Sequence, residues 1–168
     1  MEIINKVQSS GLLSLDLEEF YPEGERVVLD IKEQLFMGMI LKEKDFREYI
    51  KNTDWSSFEG KHVTLLCSAD AVIPTWAYML LSNKLTPFVL SLHFGNLQQM
   101  EDNLILEAIR TKVKVEEYKD AKVVIKGCGK LGIGNAAYVE ITRLLSPVVQ
   151  SLMFGEPCST VPVYKRRN

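Results

Sequence analysis

The feature that most constrains the fold is a regular alternation of strand and helix patterns between residues 60 and 158. Apolar runs of strand length stand at 62–67, 88–94, 121–126 and 148–154, and the segments between them carry apolar residues at helical spacing. Strands that alternate with helices are typical of a parallel sheet with helical crossovers. The sequence therefore predicts a three-layer α/β fold built on a mainly parallel sheet.

The segments that precede this core have a different pattern. Residues 12–17 and 26–31 alternate as strands do, and a Tyr-Pro-Glu-Gly turn sequence lies between them. We expect these N-terminal strands to pair antiparallel and to extend or flank the main sheet.

The length of the chain and the absence of a long linker indicate how many domains to expect. No internal repeat is evident, and 168 residues is the usual size of one domain. We expect a single α/β domain over 1–168, with a β-rich part at 1–42 and a βαβ-type core at 60–158.

Composition and charge exclude several classes of protein. Apolar residues make up 46% and charged residues 25%, so the chain should fold around a core. A net charge of −2 offers no basic surface for nucleic acid. No apolar run is long enough to span a bilayer, and no secretion signal is evident. We therefore expect a cytoplasmic protein with no membrane contact, whose cysteines are reduced thiols.

All three cysteines follow predicted strands. Cys67 ends the first parallel strand, Cys128 follows the third and Cys158 follows the fourth. Because parallel strands share one carboxyl edge, where ligands bind in open α/β sheets, we expect the thiols to lie together. Thiolates bind zinc and iron–sulfur clusters, so the leading hypothesis is a three-cysteine metal or cluster site. Candidate supporting groups are Asp70, Glu156 and His93.

Two other uses of these cysteines stay open. Cys67 or Cys128 could be the nucleophile of a small-molecule enzyme, with Cys67 activated by a helix that begins near Pro74. Alternatively, the cysteines only pack, as free cysteines commonly do, in a scaffold module. The sequence does not decide whether the chain is an enzyme.

A glycine pattern gives a further alternative. Gly127, Gly129 and Gly132 form G-x-G-x-x-G after a predicted strand and before a predicted helix, which is the context of a nucleotide-binding turn. Only one predicted strand follows, whereas a dinucleotide fold needs two halves. The competing interpretation is a tight turn that presents Cys128.

Five segments are distinctive: 24–28, 41–48, 67–80, 123–129 and 155–162. Together they resemble a bacterial family catalogued as domain of unknown function 2480. The resemblance implies a cytoplasmic protein without an established activity, whose motif cysteines correspond to Cys67, Cys128 and Cys158. It also implies partners among iron–sulfur assembly proteins. The hypothesis is therefore a protein that assists iron–sulfur or thiol chemistry, with zinc or an iron–sulfur cluster as its cofactor.

Overall fold

The structure, a computed structural model, describes residues 5–7, 11–127, 129–156 and 158–168. The chain divides into two compact units, each with its own sheet and its own apolar core. Unit 1 comprises Met1–Pro22 with Leu104–Asn168, and unit 2 comprises Glu23–Asn103. The predicted α/β class with mainly parallel strands is confirmed. The expectation of one domain stays a prediction.

The strands and helices follow the predicted alternation closely. The strands are β1 Asn5–Val7, β2 Leu12–Leu15, β3 Arg26–Asp30, β4 His62–Leu66, β5 Ser91–Phe94, β6 Lys122–Ile125, β7 Ser151–Glu156 and β8 Ser159–Lys165. The α-helices are α1 Glu43–Asn52, α2 Thr75–Leu85, α3 Leu97–Lys112 and α4 Asn135–Leu145. None of the helices in the described part of the chain is both long and apolar enough to cross a bilayer.

Strand pairing differs from the prediction. The sheet of unit 2 has the order β3-β4-β5, with all strands parallel. The sheet of unit 1 has the order β1-β2-β6-β7-β8, in which β2, β6 and β7 are parallel and both edges pair antiparallel. The prediction that the four core strands form one sheet is therefore wrong, because β4 and β5 belong to one sheet and β6 and β7 to another.

The two N-terminal strands also pair differently from the prediction. They do not form an antiparallel pair, because each lies parallel to a later strand of its own unit. Leu15 of β2 is opposite Ile125, and Leu29 of β3 is opposite Leu65. The turn sequence between them connects two units and does not close a hairpin. Local patterns locate a strand but do not choose its partner, since pairing depends on contacts distant in sequence.

The final strand, β8, was not predicted. Its run contains Pro162, and proline within a run counts against an internal strand. Among the described strands β8 pairs with β7 alone, at the edge of the sheet, where a residue without an N–H is tolerated.

The two units repeat one order of elements, which corrects the expectation of no repeat. Each contains a strand, a 3₁₀ turn, a helix, a second 3₁₀ turn, and then strand, helix and strand. β4 begins at His62 and β6 begins sixty residues later at Lys122. The same interval separates the starts of α2 and α4, and those of β5 and β7. The repeat is also visible in the sequence, because seven of the eleven residues at 85–95 recur unchanged at 145–155.

The repeat extends to an aromatic contact. In unit 2, the Tyr78 and Phe94 rings pack edge to face, with centroids 5.0 Å apart at 82°. In unit 1, sixty residues later, Tyr138 and Phe154 make the same contact at 5.6 Å and 88°. Each pair joins the helix to the strand that follows it.

Each unit also has its own core. In unit 1, Ile109 of α3 and Ile141 of α4 pack with strand residues such as Val123. In unit 2, Phe46 of α1 and Leu81 of α2 pack with Val63 and its neighbours. Burial of one such side chain contributes about 1.5–3 kcal/mol to the free energy of folding, so each of the two clusters stabilises its unit.

Candidate functional site

The carboxyl ends of β6 and β7 lie side by side in unit 1, with Ile125 opposite Phe154. Cys158 is an exposed free thiol in the turn between β7 and β8. Glu156, the last residue of β7, is half-buried and pairs with Ser159 across that turn. The structure therefore brings Glu156 and Cys158 to one sheet edge. Cys128 lies outside the described residues.

Cys67 lies in the other unit. It follows β4, is half-buried, and packs against the core of unit 2. Its Sγ is 4.0 Å from the carbonyl oxygen of Ala69. Among the described residues, no group of three or more His, Cys, Asp or Glu side chains could hold a metal ion. Because the strands that precede Cys67 and Cys158 belong to different sheets, the expected single sheet edge does not exist. The three-cysteine site stays a prediction.

A carboxylate anchors the loop that follows Cys67. Asp30 Oδ1 accepts hydrogen bonds from the backbone N–H of Ser68 at 3.1 Å and of Lys32 at 3.0 Å. Burial acts to raise the pKa of Asp30, but the hydrogen bonds from Ser68 and Lys32 outweigh it and the net pKa is lowered. Burial raises the pKa of Tyr78, and the nearby Cys67 and Asp30 raise it further. A thiol, a carboxylate and a phenol thus share this end of unit 2, while the predicted supporting residue of that loop, Asp70, is exposed.

His93 belongs to a different network. Its Nε2 lies 2.8 Å from Ser91 Oγ, which is also 2.6 Å from His62 Nδ1. His62 Nε2 lies 2.7 Å from the carbonyl oxygen of Glu23, which can only accept, so Nε2 is the donor of that hydrogen bond. Because His93 pairs with Thr64, it shares that residue's side of the sheet, opposite the core side on which the cysteine of this unit packs. The structure does not bring His93 and that cysteine together.

The glycine loop after β6 is closely approached by other parts of unit 1. A β-carbon on Gly127 would overlap the ring of Phe154, and one on Gly129 would overlap the carboxylate of Glu18. Glu18 Oε1 also accepts a hydrogen bond from the backbone N–H of Leu131 at 2.7 Å. The third glycine of the pattern has a φ of +62°, which favours glycine. These contacts account for the glycines without a nucleotide, whose binding stays a prediction.

The contact between Glu18 and Leu131 was missed because it joins residues far apart in sequence. In the sequence, the cluster of Glu18 with Asp16 and Glu19 is typical of a solvated strand end. The half-buried carboxylate instead accepts a hydrogen bond from a backbone N–H of the loop, the kind of donor that a bound phosphate would need. No local pattern in the sequence indicates this contact.

A cleft of about 410 Å³ opens beside Gly127 in unit 1. Residues of β6, α4, β7 and β8 line it, among them Gly127, Asn135, Tyr138, Thr142, Phe154 and Val163. The predictions from the sequence do not include this cleft. The recurrence of the tyrosine and the phenylalanine at an interval of sixty residues is the signal that could have indicated it.

Comparison with known proteins gives one finding. The family model described as "Protein of unknown function (DUF2480)" matches residues 1–166. No curated protein and no solved structure matches the chain.

Proposed function

Because the chain belongs to the family described as protein of unknown function (DUF2480), whose description names no activity, we propose a function from its own residues. In this proposal Cys128 and Cys158 bind zinc or an iron–sulfur cluster at the carboxyl edge of unit 1, and the protein assists iron–sulfur or thiol chemistry. The observation that carries the proposal is the pairing of β6 with β7, since the segments that follow neighbouring parallel strands meet at one sheet edge.

The donor set suits a soft metal. Neighbouring strands lie about 4.8 Å apart, and two thiolates on one zinc ion lie about 4 Å apart, so residues after adjacent strands can share a metal. Glu156 supplies a carboxylate at the same edge. A fourth position would be left for an exogenous ligand. Cys67 is left out of this set because it follows a strand of the other sheet, whereas the proposal is argued from neighbouring strands of one sheet.

The proposed chemistry also indicates the compartment in which the protein acts and the class of protein that it contacts. Thiolate ligands must be reduced and deprotonated, which suits a protein of the cytoplasm. Cys158 is exposed, so a second protein can reach it to deliver or receive a metal or a cluster. Iron–sulfur assembly proteins are the partners that fit this chemistry.

Metal binding to anaerobically purified full-length protein tests the proposal, with Co²⁺ as the spectroscopic probe. We expect the wild-type protein to bind one Co²⁺ with a thiolate charge-transfer band. Cys128→Ser and Cys158→Ser should each weaken binding at least tenfold, because each removes a thiolate ligand. The matched control is Cys67→Ser, which removes the thiol of unit 2 and should bind as the wild type does.

Three results would count against the two-thiol site. Wild-type protein without a thiolate band would refute metal binding. An equal loss in Cys67→Ser would restore the three-cysteine hypothesis. Alkylation of Cys67 faster than that of a free cysteine, in protein that binds no metal, would favour an enzyme with a cysteine nucleophile.

A further inference from the structure

We propose that the cleft of unit 1 binds a small, neutral, planar ring compound with a hydrogen-bonding edge. This cleft adjoins the end of unit 1 at which the thiol site is proposed, but none of its described lining residues is a cysteine, so the inference does not rest on that site. The inference depends on the volume of the cleft, its lining and its aromatic residues.

The volume and the lining indicate a small neutral ligand. The cleft holds about 410 Å³, within the range of about 300–1,000 Å³ that small-molecule sites occupy. Its walls are mainly aliphatic and aromatic, with Ile133 and Leu152 among the apolar residues. None of the described residues that line it carries a formal charge. A charged ligand would lose its hydration there without gaining a counter-charge.

The aromatic residues indicate a planar ligand. Phe154 is 39% exposed although it is a large apolar side chain, so much of its ring is open to a ligand. The missing side chain at Gly127 lets that ring lie across the backbone of the loop. Tyr138 packs against Phe154 at 88° and fixes the plane of its ring. A flat ring that stacks on Phe154 would gain about 0.5–1.5 kcal/mol beyond its area burial.

One polar side chain gives the ligand an orientation. Asn135 is exposed at the first turn of α4 and lines the cleft. Its amide both donates and accepts hydrogen bonds. A neutral ring with a donor or an acceptor on its edge satisfies such a group, whereas a pure hydrocarbon does not.

Unit 2 provides a natural control for this site. It contains the equivalent contact between Tyr78 and Phe94, so the aromatic pair does not by itself distinguish the two units. However, Cys67 stands where unit 1 has Gly127, sixty residues later. A side chain therefore stands at the position that glycine leaves empty in unit 1.

Saturation-transfer NMR on the full-length protein tests the proposal, with indole as the probe. We expect indole to bind with a Kd in about the millimolar range, as a fragment of its size can. Cyclohexanol, which is neutral but not planar, and benzoate, which is planar but charged, should bind at least tenfold more weakly. Phe154→Ala should weaken indole binding at least tenfold, and Phe94→Ala should not change it.

A second variant keeps the test decisive if Phe154→Ala does not fold. Val163 lines the cleft and is 53% exposed, so Val163→Trp should block it and abolish transfer to indole. The control is Val72→Trp, because Val72 is 92% exposed in unit 2 and is not among the residues that line the cleft.

The inference is overturned if wild-type protein shows no transfer to indole, if benzoate or cyclohexanol binds as tightly, or if Val163→Trp leaves the Kd unchanged. Indole binding should persist in Cys128→Ser and Cys158→Ser, so failure of the thiol site and failure of this cleft are distinguishable.

Discussion

Glu140 of α4 is a carboxylate held by two arginines. Its Oε1 accepts hydrogen bonds from Arg143 Nη2 at 2.7 Å and from Arg110 Nε at 2.9 Å, and its Oε2 accepts one from Arg143 Nε at 3.1 Å. The hydrogen bonds from Arg143 and then Arg110 lower the pKa of Glu140 from 4.5 to about 2. The Glu140 side chain is only 8% exposed, whereas the arginines are more than half exposed and partly screened by water.

Glu140→Gln should therefore lower the free energy of unfolding by about 1–2 kcal/mol at pH 7. Because the folded pKa lies below the unfolded one, this contribution is fully present above pH 4.5 and is lost as the pH falls toward 2. Urea unfolding of both proteins at pH 7 and at low pH measures it. The difference between them should shrink as the pH is lowered.

The matched control is Glu43→Gln in α1. Glu43 forms an i,i+4 pair with Arg47 at 3.0 Å, but its side chain is 62% exposed. We expect a change below about 0.5 kcal/mol at either pH. An equal effect of the two substitutions, or a loss in Glu140→Gln that does not depend on pH, would contradict the assigned role of Glu140.

At the scale of the elements, the start of α3 confirms a local prediction. In the sequence, Asn96 followed three residues later by Gln99 predicts an arrangement like a capping box. Asn96 Oδ1 accepts from the N–H of Gln99 at 2.9 Å, and Gln99 Oε1 accepts from the N–H of Asn96 at 2.8 Å. These two bonds satisfy backbone donors that the first turn of a helix leaves without partners.

Asn96→Ala should lower the free energy of unfolding by about 1 kcal/mol, because it removes the N-cap acceptor. Since the two bonds are reciprocal, a double-mutant cycle with Gln99→Ala should give a coupling energy of about 0.5 kcal/mol or more. Urea unfolding monitored by circular dichroism measures both. Gln98→Ala, in the same turn, removes only a side-chain bond to Asp102 and should cost little. Zero coupling would mean that the box does not form in solution.

At the scale of the whole molecule, the buried residues that the structure describes form two cores with no residue in common. Leu81 of α2 and Ile141 of α4 stand at equivalent positions of the repeat, and both are completely buried. Each core is thus centred on the same position of the second helix of its unit.

Leu81→Ala and Ile141→Ala should each cost about 2–5 kcal/mol, because each leaves a cavity in its core. Since the two clusters have no member in common, the loss in the double variant should equal the sum of the single losses within about 0.5 kcal/mol. Urea unfolding of the three variants provides the measurement.

An exposed pair at equivalent positions is the control for this experiment. Met79 is 66% exposed and Val139 is 69% exposed on the same two helices. Met79→Ala and Val139→Ala should each change stability by less than about 0.5 kcal/mol. A double core variant far from additive would contradict the independence of the two cores.

The candidate site shows which features local sequence patterns predict and which they do not. The sequence predicted Cys158 after a strand, with Glu156 and Cys67 at the ends of strands; in the structure Glu156 ends β7, Cys158 follows it, and Cys67 comes directly after β4. The prediction assumed a single sheet, whereas the strands that precede Cys67 and Cys158 belong to different sheets. It also missed the Phe154 cleft, because contacts between a helix and a later strand leave no local periodicity.

The sequence by itself determined the type and order of nearly all the elements, the cap of α3 and the family. These follow from spacing and from residues within a few positions of each other, whose energetics are local. Only the tertiary structure decided that β3 pairs with β4 and β2 with β6, that β8 closes an edge, and that Glu18 holds the glycine loop. Those choices depend on hydrogen bonds and packing between distant segments, and such contacts form only when the whole chain has folded.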